Sequence, residues 1–86
     1  MTRSIQYRTR GTCSRMIELE IDEQDIIVDV KFAGGCSGNT QGVAALVKGM
    51  SANDAIERLS GIRCGFRDTS CPDQLALAIK ELLQSK

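Results

Sequence analysis

Residues 16–32 read MIELEIDEQDIIVDVKF, and this stretch decides the fold. Apolar and polar residues alternate after Met16 as far as Ile21, and a second alternating run extends from Ile26 to Phe32. A period of two predicts two half-buried strands, and the polar residues 22–25 between them suit a hairpin connection. Ser4 to Arg8 is a weaker strand candidate, which we expect to pair at an edge of the same sheet.

The pattern changes from strand to helix after the second run. Residues 34–39 are rich in glycine and predict a loop that reaches positive φ angles. Residues 42–48 have a helical composition, and Gly49 suits the position just after the end of a helix. Ser51 and Asp54 resemble a capping box, so we expect a second helix to begin there.

A third helix is predicted at the C-terminal end of the chain. Gly61 ends the second helix, and a loop over residues 62–70 leads to Pro72, which suits the first helical position and makes Cys71 the N-cap. An apolar stripe supports this helix, consisting of Leu75, Ala78, Ile79 and Leu82. Strands followed by helices predict an α+β fold, a small antiparallel three-stranded sheet followed by three helices packed on one face.

Length and charge narrow the class of protein. The 86 residues predict one domain over residues 1–86. Eleven basic and eleven acidic residues balance, which argues against a nucleic-acid binder, since such proteins carry a basic excess. No apolar stretch approaches the roughly 20 residues that span a bilayer, and the N-terminus lacks the apolar core of a signal peptide. We therefore expect a cytoplasmic protein without a membrane partner; homo-oligomerisation stays open.

Four cysteines stand in turn-forming or small-residue contexts, at Cys13, Cys36, Cys64 and Cys71, and the chain has no histidine. Any metal or redox chemistry would therefore use sulfur, with carboxylates as the only other good ligands. Asp73 is one such carboxylate, although capping the third helix is the simpler role for it. The spacing contains no C-x-x-C pair, so it matches neither a standard zinc ribbon nor a thioredoxin motif.

The positions of the cysteines relative to the predicted strands and helices favour a shared metal site more than their spacing does. Cys13 comes just before a predicted strand, Cys36 follows the strand pair, and Cys71 is at a helix start, where backbone N–H groups favour thiolate. If the helices pack on the sheet face, the strand end near Cys36 and the helix start at Cys71 can fall on one rim. Three or four thiolates there would suit zinc or an iron–sulfur cluster. The alternative, strongest for Cys64, is a small buried hydrophobic residue.

Residues Thr69-Ser70-Cys71-Pro72-Asp73 match the signature from which the TSCPD domain family takes its name. The match extends through the segments 34–39, 46–49 and 61–65, so the chain resembles this family over nearly its whole length. The family includes small stand-alone proteins and the C-terminal domain of vitamin-B12-dependent ribonucleotide reductases. The resemblance implies a link to ribonucleoside-diphosphate reductase, which would be a partner. The chain would then act in thiol redox chemistry through Cys64 and Cys71 or in nucleotide binding.

The link does not imply reductase activity. Such an enzyme needs a large barrel for its radical site, and 86 residues cannot build one. Whether the chain catalyses any reaction by itself stays open.

The stretch from Cys13 to Ile56 also resembles, more distantly, the iron–sulfur cluster assembly scaffold proteins. The shared pieces are the strand pair, Gly35-Cys36, Val47-Lys48-Gly49 and Ser51-x-x-Asp54-Ala55, with Ala78-Ile79-Lys80 following Cys71 at the scaffold's offset. The resemblance implies that Cys13, Cys36 and Cys71 bind a cluster and that a cluster-assembly protein is a partner. Arg15 stands where the scaffolds usually have aspartate, and Cys64 is an additional cysteine that would favour a closed site.

Three hypotheses of function follow. The leading one is a non-catalytic metal-binding module for zinc or an iron–sulfur cluster, with Cys13, Cys36 and Cys71 as ligands. Cys64 would be the fourth ligand or a redox partner. The second is an accessory to ribonucleotide reduction that acts by thiol exchange or nucleotide binding. The third is an interaction domain whose cysteines are structural.

Overall fold

The computed structural model describes residues 2–10, 14–34, 37–63 and 69–84, with residues 14 and 37–39 described by their backbone alone. The elements in chain order are β1 (Arg3–Arg8), β2 (Ser14–Ile21), β3 (Ile27–Gly34), α1 (Ser37–Val47), α2 (Ala52–Leu59) and α3 (Cys71–Gln84). Three strands therefore precede three helices, which confirms the predicted α+β fold. None of the helices in these ranges combines the length and apolarity needed to cross a bilayer.

The strands form one antiparallel sheet in the order β1-β2-β3. Met16 pairs with Arg8 on one side and with Ala33 on the other, at the end of the sheet where β2 begins. Beyond this row, Ser14 pairs with Gly34, and a register shift leaves Arg15 as an extra residue in β2. Such a bulge bends the strand and increases its local twist.

One face of the sheet carries the core. Ile17, Leu19 and Ile21 of β2 are at most 1 % exposed. They form a single cluster with Ile27 and Val30 of β3 and with buried helix residues, namely Val47, Ala52, Ala55, Leu75, Ala78, Ile79 and Leu82. On the opposite face Gln6 and Glu18 are exposed and hydrogen-bond to each other. In β2 the period-two pattern therefore separates a covered face from an open one. In β3 a register shift leaves Val28 exposed between the buried Ile27 and Val30, so the alternation predicted there is wrong in part. The prediction of helices on one face is confirmed.

The first helix is longer than predicted. It begins at Ser37 rather than at residue 42, so the expected loop over 34–39 is wrong in part. Thr40 is only 5 % exposed and lies on the same helical face as Val43, Ala44 and Val47. The buried stripe of α1 thus begins with a polar residue. Because the prediction considered apolar residues only, it placed the start of the helix too late.

Glycine ends the first two helices as expected. Gly49 has a φ of 84° just after α1, and Gly61 has a φ of 82° just after α2. Only glycine adopts this region without strain. The Gly49 N–H donates to the carbonyl of Ile27 at 2.8 Å, which ties the end of α1 to the edge strand β3.

The last helix runs antiparallel to β1. Near the helix C-terminus, Arg3 Nη1 donates to the carbonyl of Leu82 at 3.4 Å, and Arg3 also pairs with Asp25 at 2.6 Å. Near the helix N-terminus, the backbone N–H of Arg10 donates to the side chain of Gln74 at 3.0 Å. The start of α3 therefore lies at the end of the sheet where β1 finishes and β2 begins.

Candidate cysteine site

Cys71 is the first residue of α3 and is only 5 % exposed. The predicted role of N-cap belongs instead to Ser70. The Ser70 hydroxyl oxygen accepts a hydrogen bond from the Asp73 N–H at 3.1 Å, and its carbonyl accepts from the Gln74 N–H at 2.8 Å. Pro72 is consequently the second helical residue, where its missing N–H also costs no helical bond, so the prediction was wrong by one position.

The other predicted ligands, Cys13, Cys36 and Cys64, lie outside the described residues. Described residues close to them in sequence show where the chain enters and leaves these segments. Cys13 directly precedes Ser14, and Cys36 comes two residues after Gly34. Since Ser14 and Gly34 are paired across β2 and β3, the flanks of these two cysteines are neighbours at one end of the sheet.

The flank of Cys64 reaches the start of α3 by another contact. The backbone N–H of Gly61 donates to Asp73 Oδ1 at 2.7 Å. Gly61 is three residues before Cys64, and Asp73 is two residues after Cys71. The segment that leads to Cys64 is thus attached at the helix start that carries Cys71.

A continuous set of hydrogen bonds surrounds this helix start. Gln74 is only 4 % exposed; its Oε1 accepts from the Arg10 N–H at 3.0 Å and its Nε2 donates to Thr69 Oγ1 at 3.0 Å. The Thr69 hydroxyl in turn donates to Asp73 Oδ2. Asp73 also accepts from Gly61, so this set, here called the Thr69–Gln74 cluster, joins the end of β1 to the loop after α2.

A family model described as the TSCPD domain matches residues 1–83. The chain belongs to the TSCPD domain family. A search of curated proteins found no match, and neither did a search of solved structures. The likeness to iron–sulfur cluster scaffolds therefore stays a prediction.

The signature of the TSCPD domain has a clear local role in this structure. Ser70 caps α3, and Thr69 and Asp73 hydrogen-bond to each other. Cys71, which lies between Ser70 and Asp73 in the sequence, is buried. The Asp73 carboxylate lies in the first turn, where a negative charge is favourable to the helix dipole. Four of the five signature residues therefore help to form the start of this helix. Thr69, Ser70 and Asp73 do so by hydrogen bonds, and Pro72 does so as a residue of the first turn.

Sequence reasoning considered Asp73 but missed Gln74 and the hydroxyl of Thr69. One signal for Gln74 was available. Gln74 precedes Leu75 and lies four residues before Ala78, so it continues the buried stripe of α3 with a polar side chain. A polar residue on such a stripe needs hydrogen-bond partners, and here it has two.

Within residues 2–10, 14–34, 37–63 and 69–84, the structure shows no group of three or more Cys, His, Asp or Glu side chains that could hold a metal ion. Cys71 is the one cysteine in those ranges. The predicted ligand set of Cys13, Cys36, Cys64 and Cys71 therefore stays a prediction.

Proposed function

We propose that this TSCPD protein is a cysteine-dependent metal-binding module that holds zinc or an iron–sulfur cluster. Cys13, Cys36 and Cys71 are its ligands, and Cys64 is the fourth ligand or a redox partner. One observation carries the proposal: the described flanks of all four cysteines converge at the start of α3.

Three contacts produce this convergence. Ser14 pairs with Gly34, which joins the flanks of Cys13 and Cys36. The Arg10 N–H bonds to Gln74, which joins the other flank of Cys13 to α3. The Gly61 N–H bonds to Asp73, which joins the flank of Cys64 to the same turn. Each of these described residues is at most three positions in sequence from its cysteine, and a residue advances the chain by at most about 3.6 Å.

The chemistry of the region suits thiolates. Metal binding requires the deprotonated thiol, and the N–H groups of a helix start favour negative charge. Four thiolates form a closed tetrahedral zinc site, whereas three leave one position open, and iron–sulfur clusters also take cysteine thiolates. With 86 residues and a small core, the domain would gain stability from a bound metal because binding energy adds to folding energy.

Metal analysis of protein purified without oxygen tests the proposal. We expect about one zinc per chain, or iron and sulfide with a brown colour. Cys36→Ser and Cys71→Ser should each lower the bound metal by more than half. Asn53→Ser, an exposed change in α2, is the matched control and should leave the metal content unchanged.

Two other results would decide against metal binding. A Cys64–Cys71 disulfide that thioredoxin reduces, in metal-free protein, would favour the redox accessory hypothesis. Four free thiols with no metal and no reaction toward a thiol reagent would favour the structural hypothesis.

A further inference from the structure

We propose that Asp73 and Gln74 are positioning residues of the cysteine site. Through Gly61 and Arg10 they hold the two chain segments that lead to Cys64 and Cys13 at the start of α3, beside Cys71. This inference rests on the proposed function and identifies residues that set the geometry of the site without binding the metal.

The polarity of each hydrogen bond in the Thr69–Gln74 cluster follows from its chemistry. The Arg10 N–H can only donate, so it requires the oxygen of the Gln74 amide, and the amide nitrogen then faces Thr69. The Thr69 hydroxyl accepts from that nitrogen and donates its own proton to Asp73, whose carboxylate only accepts. Gln74 therefore has one orientation that satisfies both partners.

Burial makes this arrangement costly to break. Gln74 and Ser70 are each 4 % exposed, and no buried side-chain nitrogen or oxygen within the described parts of the chain lacks a partner. A buried polar group that loses its partner keeps its full desolvation cost. The buried Gln74 amide therefore fixes the position of Arg10 relative to α3 more firmly than a surface hydrogen bond would. The Gly61–Asp73 bond is exposed, so its hold on Gly61 is weaker.

Each anchored point precedes one cysteine by three residues in sequence. Arg10 is three residues before Cys13, and Gly61 is three residues before Cys64. In this proposal, the two anchors raise the effective concentration of the Cys13 and Cys64 thiols near Cys71, as a short tether does for any linked group. Residues that orient metal ligands from outside the ligand set typically change metal affinity by about 10–100-fold when mutated.

Zinc affinity of the full chain, measured by chelator competition, tests this inference. Gln74→Met keeps the side-chain length but removes both hydrogen bonds, and we expect it to weaken zinc binding by about 10–100-fold. Gln84→Met is the matched control, because Gln84 is an exposed residue of the same helix. Equal zinc affinity for Gln74→Met and wild type, in folded protein, would overturn the inference.

A second pair of variants covers the case in which Gln74→Met does not fold. Asp73→Ala removes the acceptor of Gly61, and Asp54→Ala removes the aspartate at the same position of the α2 start. We expect Asp73→Ala to weaken zinc binding and Asp54→Ala to leave it unchanged. Amide exchange should quicken at Gly61 in Asp73→Ala and at Arg10 in Gln74→Met, by at least about tenfold, without zinc.

A probe without zinc separates this inference from the proposed function. A trivalent arsenical binds stably when two thiols lie close together, whether or not the protein takes up a metal in solution. If wild-type protein binds no metal, the proposed function fails. The positioning role still stands if Gln74→Met slows arsenical binding relative to Gln84→Met, and it fails if the two rates agree.

Discussion

The starts of α2 and α3 have the same local chemistry but different surroundings. Ser51 Oγ accepts from the Asp54 N–H at 3.2 Å, and Ser70 Oγ accepts from the Asp73 N–H at 3.1 Å. Both are therefore serine caps followed by an aspartate three residues later. At α2 the aspartate is exposed, whereas at α3 it accepts from Thr69 and from Gly61.

The difference shows that a capping motif can have two kinds of role. At α2 the Ser51 side chain serves the helix start, and contact with the β2–β3 hairpin is made by the backbone, where the Ala52 N–H donates to the Asp25 carbonyl at 2.8 Å. At α3 the same motif extends through Gln74 to Arg10, so a local cap becomes a junction between β1, the loop after α2 and the helix. The family signature lies at the junction and not at the simple cap.

The largest difference in stability between changes in the two helices is expected at their core-facing leucines. Leu75 of α3 is fully buried, and Leu59 of α2 is half-buried. Leu75→Ala should reduce the free energy of unfolding by about 3 kcal/mol, because it leaves a cavity against the sheet. Leu59→Ala should cost about 1 kcal/mol, since less apolar area returns to water. Urea unfolding measures both, and equal losses would contradict the ranking.

The next largest difference is expected between the two serine caps, in the stability lost when each is replaced by alanine. Ser70→Ala should destabilise the protein by about 2 kcal/mol, since Ser70 is buried and the Asp73 N–H loses its partner away from water. Ser51→Ala should cost about 0.5 kcal/mol, because water can replace the lost bond at an exposed position. Midpoints of urea unfolding at unchanged slope are the measurement. A larger loss for Ser51→Ala than for Ser70→Ala would show that burial does not set the difference.

The smallest expected effect is electrostatic and belongs to α2. Asp54 is an exposed negative charge in the first turn, so Asp54→Asn should cost about 0.5 kcal/mol at low salt. High salt screens such an interaction, and the difference from wild type should vanish there. Thermal unfolding at two salt concentrations tests this, and a loss that persists in high salt would point to a packing contact of Asp54 instead.

The elements with strong periodicity were predictable and the junction was not. The alternation in residues 16–32 predicted β2 and β3, and the structure confirms both within a few residues. Gly49 and Gly61 correctly predicted the ends of α1 and α2, because positive φ is a local property of one residue. The start of α1 was missed because Thr40 is polar yet buried by contacts that its own sequence neighbourhood does not reveal.

The candidate cysteine site also has features that were predictable from the sequence and features that were not. Cys71 at a helix start was predicted, since Pro72 marks the first turn, although Ser70 and not Cys71 is the cap. The pairing of the Cys13 and Cys36 flanks follows from the register of Ser14 and Gly34, which depends on the bulge at Arg15. Bulges have no reliable signature in a single sequence, so this register was not predictable.

By itself, the amino-acid sequence determined the order of strands and helices, the glycine-ended helices and the family to which the chain belongs. Those properties depend on periodicity, on the conformational range of glycine and on a contiguous signature. Tertiary structure alone decided that Arg10, Gly61 and Asp73 meet at one helix start. Their hydrogen bonds join residues far apart in the chain, and only burial of the core against the sheet brings those residues within bonding distance.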